Sequence, residues 1–133
     1  MVGETNLTAL LASMSPVLLD DEYVFCSVPG GQYGDYHSLS PLATFRESEG
    51  LTLVLTKTAA IEGGLSFESV FKGITLTVHS SLDAVGLTAA VANKLTEKGI
   101  SANVIAAYYH DHIFVQTEKA ALAIEALNEF SKV

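Results

Sequence analysis

From Ile74 the chain alternates strictly, with Ile74, Leu76 and Val78 on one face and Thr75, Thr77 and His79 on the other, which predicts a half-buried strand. Beyond "HSSLDAVG" the period lengthens. Leu87, Val91 and Leu95 recur at helical spacing with Ala84 and Ala90 beside them, and Gly99 in "EKGI" stands where a helix end takes a left-handed residue. Ile100 to Tyr108 alternates again through Ala102, Val104 and Ala106. "HDH" then interrupts the pattern before the β-rich "IFVQT", so the two runs read as a hairpin. Thr117 offers an N-cap to a last helix whose Ala120, Ile124, Leu127 and Phe130 form one apolar stripe. The predicted order of this half is β-α-β-β-α.

The chain partly repeats itself. "LTALLASM" from Leu7 returns as "LTAAVANK" from Leu87, and "TKTAA" from Thr56 returns as "TEKAA" from Thr117, with a hydrophobic strand before each, "LTLVL" or "HIFVQ". Common residues produce short identities by chance, but the shared order favours duplication. The spacings differ, 87 − 7 against 117 − 56, so the first copy carries an insertion. The Gly- and Tyr-rich "SVPGGQYGDYHSLS", near residues 27–41 and after the strand "EYVF", is the candidate. Neither copy is complete: the first has no room for a strand before Leu7, and the second has none after its last helix. "LSFESVFKGITLTV" reads as the last strand of one copy running into the first strand of the next. The expectation is two modules, residues 1–71 and 72–133, that share a core.

Composition narrows the partners. With 133 residues and 49% hydrophobic content the chain can bury a core, and 7 basic against 15 acidic residues give a net charge of −8, which repels nucleic acid and anionic membranes. The single Cys26, in "EYVFCSV", forms no internal disulfide and reads as a small apolar strand residue, which fits a reducing cytoplasm. No basic leader and no run of membrane-spanning length is visible, so the expected location is cytoplasmic.

The β-α-β-β-α order with a glycine at the first strand-to-helix turn is the ferredoxin-like plan, which names no function. The residues are more specific. "ITLTVHSSLDAVGLTAAVANKLTEKGISANVIAAYYHDHIFV" resembles the second module of the bacterial tandem ACT-domain proteins, and "LTALLASMSPVLLDDEYVFCSV" with "PLATFRESEGLTLV" resembles their first module. The resemblance implies an α+β fold of tandem ferredoxin-like (βαββαβ) modules, antiparallel sheets with helices on one face, related to the aspartokinase regulatory region. It also implies a regulatory sensor of small molecules, often amino acids, acting between paired modules, and ligand contacts on the opening turn and near Asn103.

The chemistry of that turn supports such a contact. The unpaired N–H groups near Val85, Gly86 and Leu87 suit a carboxylate, Asp83 suits an ammonium or a basic side chain, and Ser80 and Ser81 add hydroxyls. "SSLD" from Ser80 also has the spacing of a capping box, in which Ser80 and Asp83 would satisfy only the helix, and Gly86 would serve close packing. Both readings stay open.

Other constellations carry less. His110, Asp111 and His112 invite a metal, but no third ligand outside the run is in sight, and a solvated hairpin tip accounts for them. His79 alternates to the polar face, and His37 has no assigned role. Glu47 and Glu49 flank a hairpin turn, "ESEG". No G-x-S-x-G turn or dinucleotide fingerprint is present, and "GGQYG" reads as a lid with Tyr33 and Tyr36 as contacts. The expectation is a non-enzymatic sensor of a small amino acid or similar metabolite, without cofactor or metal, acting at the interface of its two modules. It would form a homo-oligomer, a dimer, and signal through an unidentified regulated protein; the alternative is an adaptor that uses the same surfaces to oligomerise without a ligand.

Overall fold

The computed structural model describes residues 6–78 and 85–131. In chain order the elements are α1 (Leu7–Ser13), β1 (Pro16–Val28), β2 (Ala43–Glu47), β3 (Gly50–Thr56), α2 (Lys57–Glu62), β4 (Phe71–Leu76), α3 (Leu87–Glu97), β5 (Asn103–Ala106), β6 (Asp111–Gln116) and α4 (Ala120–Asn128). Two compact units result, one from residues 1–20 with 72–133 and the other from residues 21–71.

In the first unit the strand order is β1-β4-β6-β5, with β1 represented by Pro16 to Asp20, and β5 and β6 form an antiparallel hairpin. Its core gathers Ile74 and Leu76 of β4, Ile113 and Val115 of β6, Leu87, Val91 and Leu95 of α3, and Ala123, Ala126 and Leu127 of α4. Of these, Ile74, Leu76, Leu87, Val91, Leu95 and Leu127 are positions that alternation and helical spacing single out, while Ala123 and Ala126 take the core places in α4 that the predicted stripe gave to Ile124 and Phe130; the strand and helix periods meet on one face of the sheet. Ile124 and Phe130 pack against this core from its margin, and Lys98 caps α3 ahead of Gly99, whose φ is 72°.

Leu10 and Met14 of α1 lie in the same core. The first half of the chain thus lends a helix, and the start of β1, to the unit built by the second half. The loan runs one way among the described residues: the second unit's core holds Val24, Cys26, Leu51, Leu53, Leu55 and Ala60, all from the first half. Of the two cores, the first unit's draws on both halves of the chain and the second unit's on the first half alone.

In the second unit β3 pairs with β1 on one side and with β2 on the other, both antiparallel, and the β2–β3 hairpin turns through Ser48 and Glu49 as "ESEG" predicts. Thr56 caps α2, its hydroxyl accepting from the Ala59 N–H at 3.1 Å. Thr117 takes no such place, for Thr117–Lys119 is a 3-10 turn ahead of α4. Nor is "LSFESV" a strand. Leu65, Phe67 and Val70 are irregular segments packed on the second unit's core, and only Phe71–Leu76 pairs.

The internal repeat shows its true register here. Leu51 to Thr56 and Asp111 to Gln116 have the same burial pattern, with Thr56 and Gln116 each standing just before a helical turn and Ala60 and Ala120 buried after it. The structural partner of Thr56 is thus Gln116, one residue short of the Thr117 that the sequence match selects. A one-residue slip matters in a strand because it reverses every side chain. In the correct register Leu53 and Leu55 correspond to Ile113 and Val115, Val54 to Phe114, and Leu51 to Asp111.

Candidate functional site

The opening turn starts where β4 runs out. The Thr77 N–H donates to the Ser15 carbonyl at 2.9 Å, the Thr77 hydroxyl donates to the same oxygen, and the Val78 N–H donates to the Leu76 carbonyl at 2.8 Å. Ser80, Ser81 and Asp83, with His79, lie outside the described residues. On the far side Val85 is exposed (84%), and Gly86 is the N-cap of α3.

Gly86 has φ 98° and gives no side-chain cap, and a Cβ there would come within 3.1 Å of Leu7 Cδ2. The residue is glycine because the backbone is left-handed and because α1 is packed against it. The N-cap of α3 is Gly86, and the capping-box reading of "SSLD" falls on residues outside the described ones. The Leu87 side chain is buried in the core, which leaves its backbone N–H as the group it can offer a ligand. Asn103 opens β5 opposite Phe114, and its Nδ2 donates to the Phe114 carbonyl at 3.2 Å.

The "HDH" run differs from its expected form. The hairpin tip is formed instead by the exposed Tyr108 and Tyr109, whose rings meet edge to face with centroids 5.0 Å apart, and Asp111 is already the first residue of β6. Asp111 shares strand parity with Ile113 and Val115 and is 8% exposed, so it faces the core side, not water. Burial raises its pKa above the usual carboxylate value, with the neighbouring His112 pulling the other way. His112 points to the opposite face, where its Nδ1 lies 3.0 Å from the Thr75 hydroxyl. Burial and the charge of His110 lower its pKa, against the attraction of Asp111. His110 Nδ1 is buried and has no hydrogen-bond partner among the described residues. Among the described residues no group of three or more His, Cys, Asp or Glu side chains is placed to hold a metal ion. Sequence reasoning missed Asp111 because it placed the residue in the turn; counting parity back from Ile113 would have found it.

In the second unit the Gly- and Tyr-rich segment and the start of β2 make a concavity of about 390 Å³, lined by Tyr33, Asp35, His37, Ser40 and Thr44 among others. The 3-10 turn His37–Leu39 is bracketed by Tyr36 (φ 64°) and Ser40 (φ 51°), and Asp35 Oδ2 accepts from the Gln32 N–H at 2.9 Å. Tyr33, exposed on its rim, belongs to this concavity; Tyr36 does not line it. Cys26 is buried in the core, and burial raises its pKa, as its apolar setting predicts. The Glu47 carboxylate accepts from the Thr52 hydroxyl on the adjoining strand. No helix among the described residues is long and apolar enough to cross a membrane.

Strands that alternate between core and surface, with helices on one face and a strand-to-helix turn led by an N-cap glycine, define an α+β protein of the ferredoxin-like type. Comparison gives the family: ACT-domain patterns match residues 2–72 and residues 68–129, so the chain belongs to the ACT-domain family and carries two such domains in tandem. No curated protein sequence matches the chain. Among solved structures, a Vibrio cholerae protein of unknown function, described as a possible transport protein, is 62% identical with TM-score 0.87, covering 95% of this chain and 96% of its own. An Agrobacterium tumefaciens protein is 14% identical with TM-score 0.70, covering 89% of each chain. The ligand-free regulatory subunit of aspartate kinase from Thermus thermophilus is 10% identical with TM-score 0.60, covering 89% of this chain and 97% of its own. The last two are likenesses of fold.

Proposed function

We propose that this chain is a regulatory sensor that binds a small amino acid or related metabolite at the β4-to-α3 turn of the second of two modules, residues 1–71 and 72–133. The observation that carries the reading is Gly86, an N-cap without a side chain of its own at the head of α3, in a chain of the ACT-domain family. The N–H groups of Val85, Gly86 and Leu87 would take the ligand's carboxylate, and Ser80, Ser81 and Asp83 would take its polar and cationic groups. Asn103 adjoins from β5. No bond is made or broken. Binding acts by favouring one of two arrangements of a cytoplasmic homodimer, which requires different affinities for the two, and the signal passes to an unidentified partner protein.

A thermal-shift panel of the standard amino acids tests this. One or a few should raise the melting temperature of the wild-type chain, and Asp83→Ala should abolish the rise. A chain that answers to none of them leaves the adaptor reading, in which the same surfaces serve subunit contact alone.

A further inference from the structure

We propose that Asp111 is a ligand-binding residue in its own right, a buried carboxylate that receives a primary ammonium group; that the ammonium comes from an amino acid rests on the function proposed above. Parity is the first ground. Asp111 occupies in β6 the core-facing position that Leu51 occupies in β3, a position where an apolar side chain completes the core. The second is isolation. The residue is 8% exposed, no hydrogen bond or ion pair with a described residue engages its carboxyl, and its oxygens are not among the fully enclosed unpaired atoms, so a small ligand can still reach them. A carboxylate so placed is costly without a cationic partner. Among the described residues Lys94 and Lys98 pair with Glu129 at 3.2 and 3.5 Å, and Lys72 donates to the Asp20 carbonyl, so these three cations are engaged elsewhere. The charged group that does act on it, His112, is driven toward its neutral form by burial and by His110.

Position is the third ground. The contact of His112 with Thr75 sets the first residues of β6 beside the last residues of β4, the strand that feeds the turn to α3. Asp111 therefore stands at the end of the sheet from which the turn departs, on the face that α3 covers. A primary ammonium supplies the missing charge and three N–H donors in the space of one small group.

The test is calorimetric titration of the full chain at neutral pH with the amino acids that bind it, with their 2-hydroxy acid analogues, and with short alkylamines. Asp111→Asn should weaken amino acids and alkylamines by about 30-fold while leaving the hydroxy acids unchanged, the size of a lost charge-assisted hydrogen bond. Amino acids that bind Asp111→Asn as tightly as wild type overturn the proposal and leave the sensor reading standing. Alkylamine binding lost in Asp111→Asn, in a chain that binds no amino acid, keeps the ammonium site and removes the sensor reading; a wild-type chain that binds neither class overturns both. Should the variant not fold, the carboxyl carbon resonance of Asp111 in the wild-type chain decides. Its titration should move to lower pH on adding an alkylamine, and an unmoved titration rejects the site.

Discussion

The Thr75 hydroxyl and His112 Nδ1, brought within 3.0 Å on neighbouring strands, tie the last residues of β4 to the first of β6. The two residues lie far apart in sequence and share no motif. Their contact forms because strand parity turns both to the same face, and it makes His112 a reporter on the packing of that end of the sheet.

His112 should make the protein acid-sensitive. Its folded pKa is lowered from the ordinary 6.5, chiefly by burial, so the unfolded chain takes up the proton first as pH falls. The stability this represents is present above 6.5 and is lost as pH falls through the lower folded value. Thermal midpoints of wild type should therefore drop more steeply than those of His112→Gln between about pH 7 and 5. Parallel curves for the two proteins would exclude His112 as the cause.

Asp111 runs the other way. Its folded pKa is raised by burial, so its contribution is fully present below the ordinary 3.8 and is lost as pH rises through the folded value. At neutral pH, without ligand, the residue is a net cost. Asp111→Leu should stabilise the empty protein by about 1–2 kcal/mol in urea unfolding, the cost of an unpaired buried polar group, and abolish ligand binding. A destabilised Asp111→Leu would mean that this position is not the equivalent of Leu51.

Gly86→Ala should destabilise by about 1–3 kcal/mol, because a φ of 98° is unfavourable for an L side chain and the new methyl group meets Leu7. Leu7→Ala in the same background should return the steric share of this loss and leave the backbone share, a difference that a double-mutant cycle reads directly.

The helix lent by the first half should be indispensable to the second. Leu10 is fully buried among residues of β4, α3, β6 and α4, so Leu10→Ala should cost about 2–5 kcal/mol. Residues 72–133 expressed alone lack Leu10, Met14 and the start of β1, and should show no cooperative thermal transition. A cooperative, monomeric fragment would show that α1 merely decorates that core.

Much of the fold is written in local periodicity. The alternation through Ile74 and Leu76 and the helical spacing of Leu87, Val91 and Leu95 each report which side of an element avoids water, and that preference is a property of the residues themselves. The repeat was legible for the same reason. What a linear comparison could not give was its register: the identity of Thr56 with Thr117 outweighed the parity that makes Gln116 the structural partner, because sequence matching rewards shared letters and a sheet rewards shared faces. Asp111 was lost in the same step. Placed in a turn it is an ordinary solvated carboxylate, and only when β6 begins one residue before His112 does it face the core. The packing of Leu7 against Gly86 and of Leu10 in the second half's core depends on elements distant in the chain coming together, which no local pattern encodes. The sequence by itself determined the faces that β4 and α3 bury, because that preference belongs to the residues; the tertiary structure decided which carboxylate was drawn out of bulk water, because desolvation depends on what the rest of the chain brings to that place.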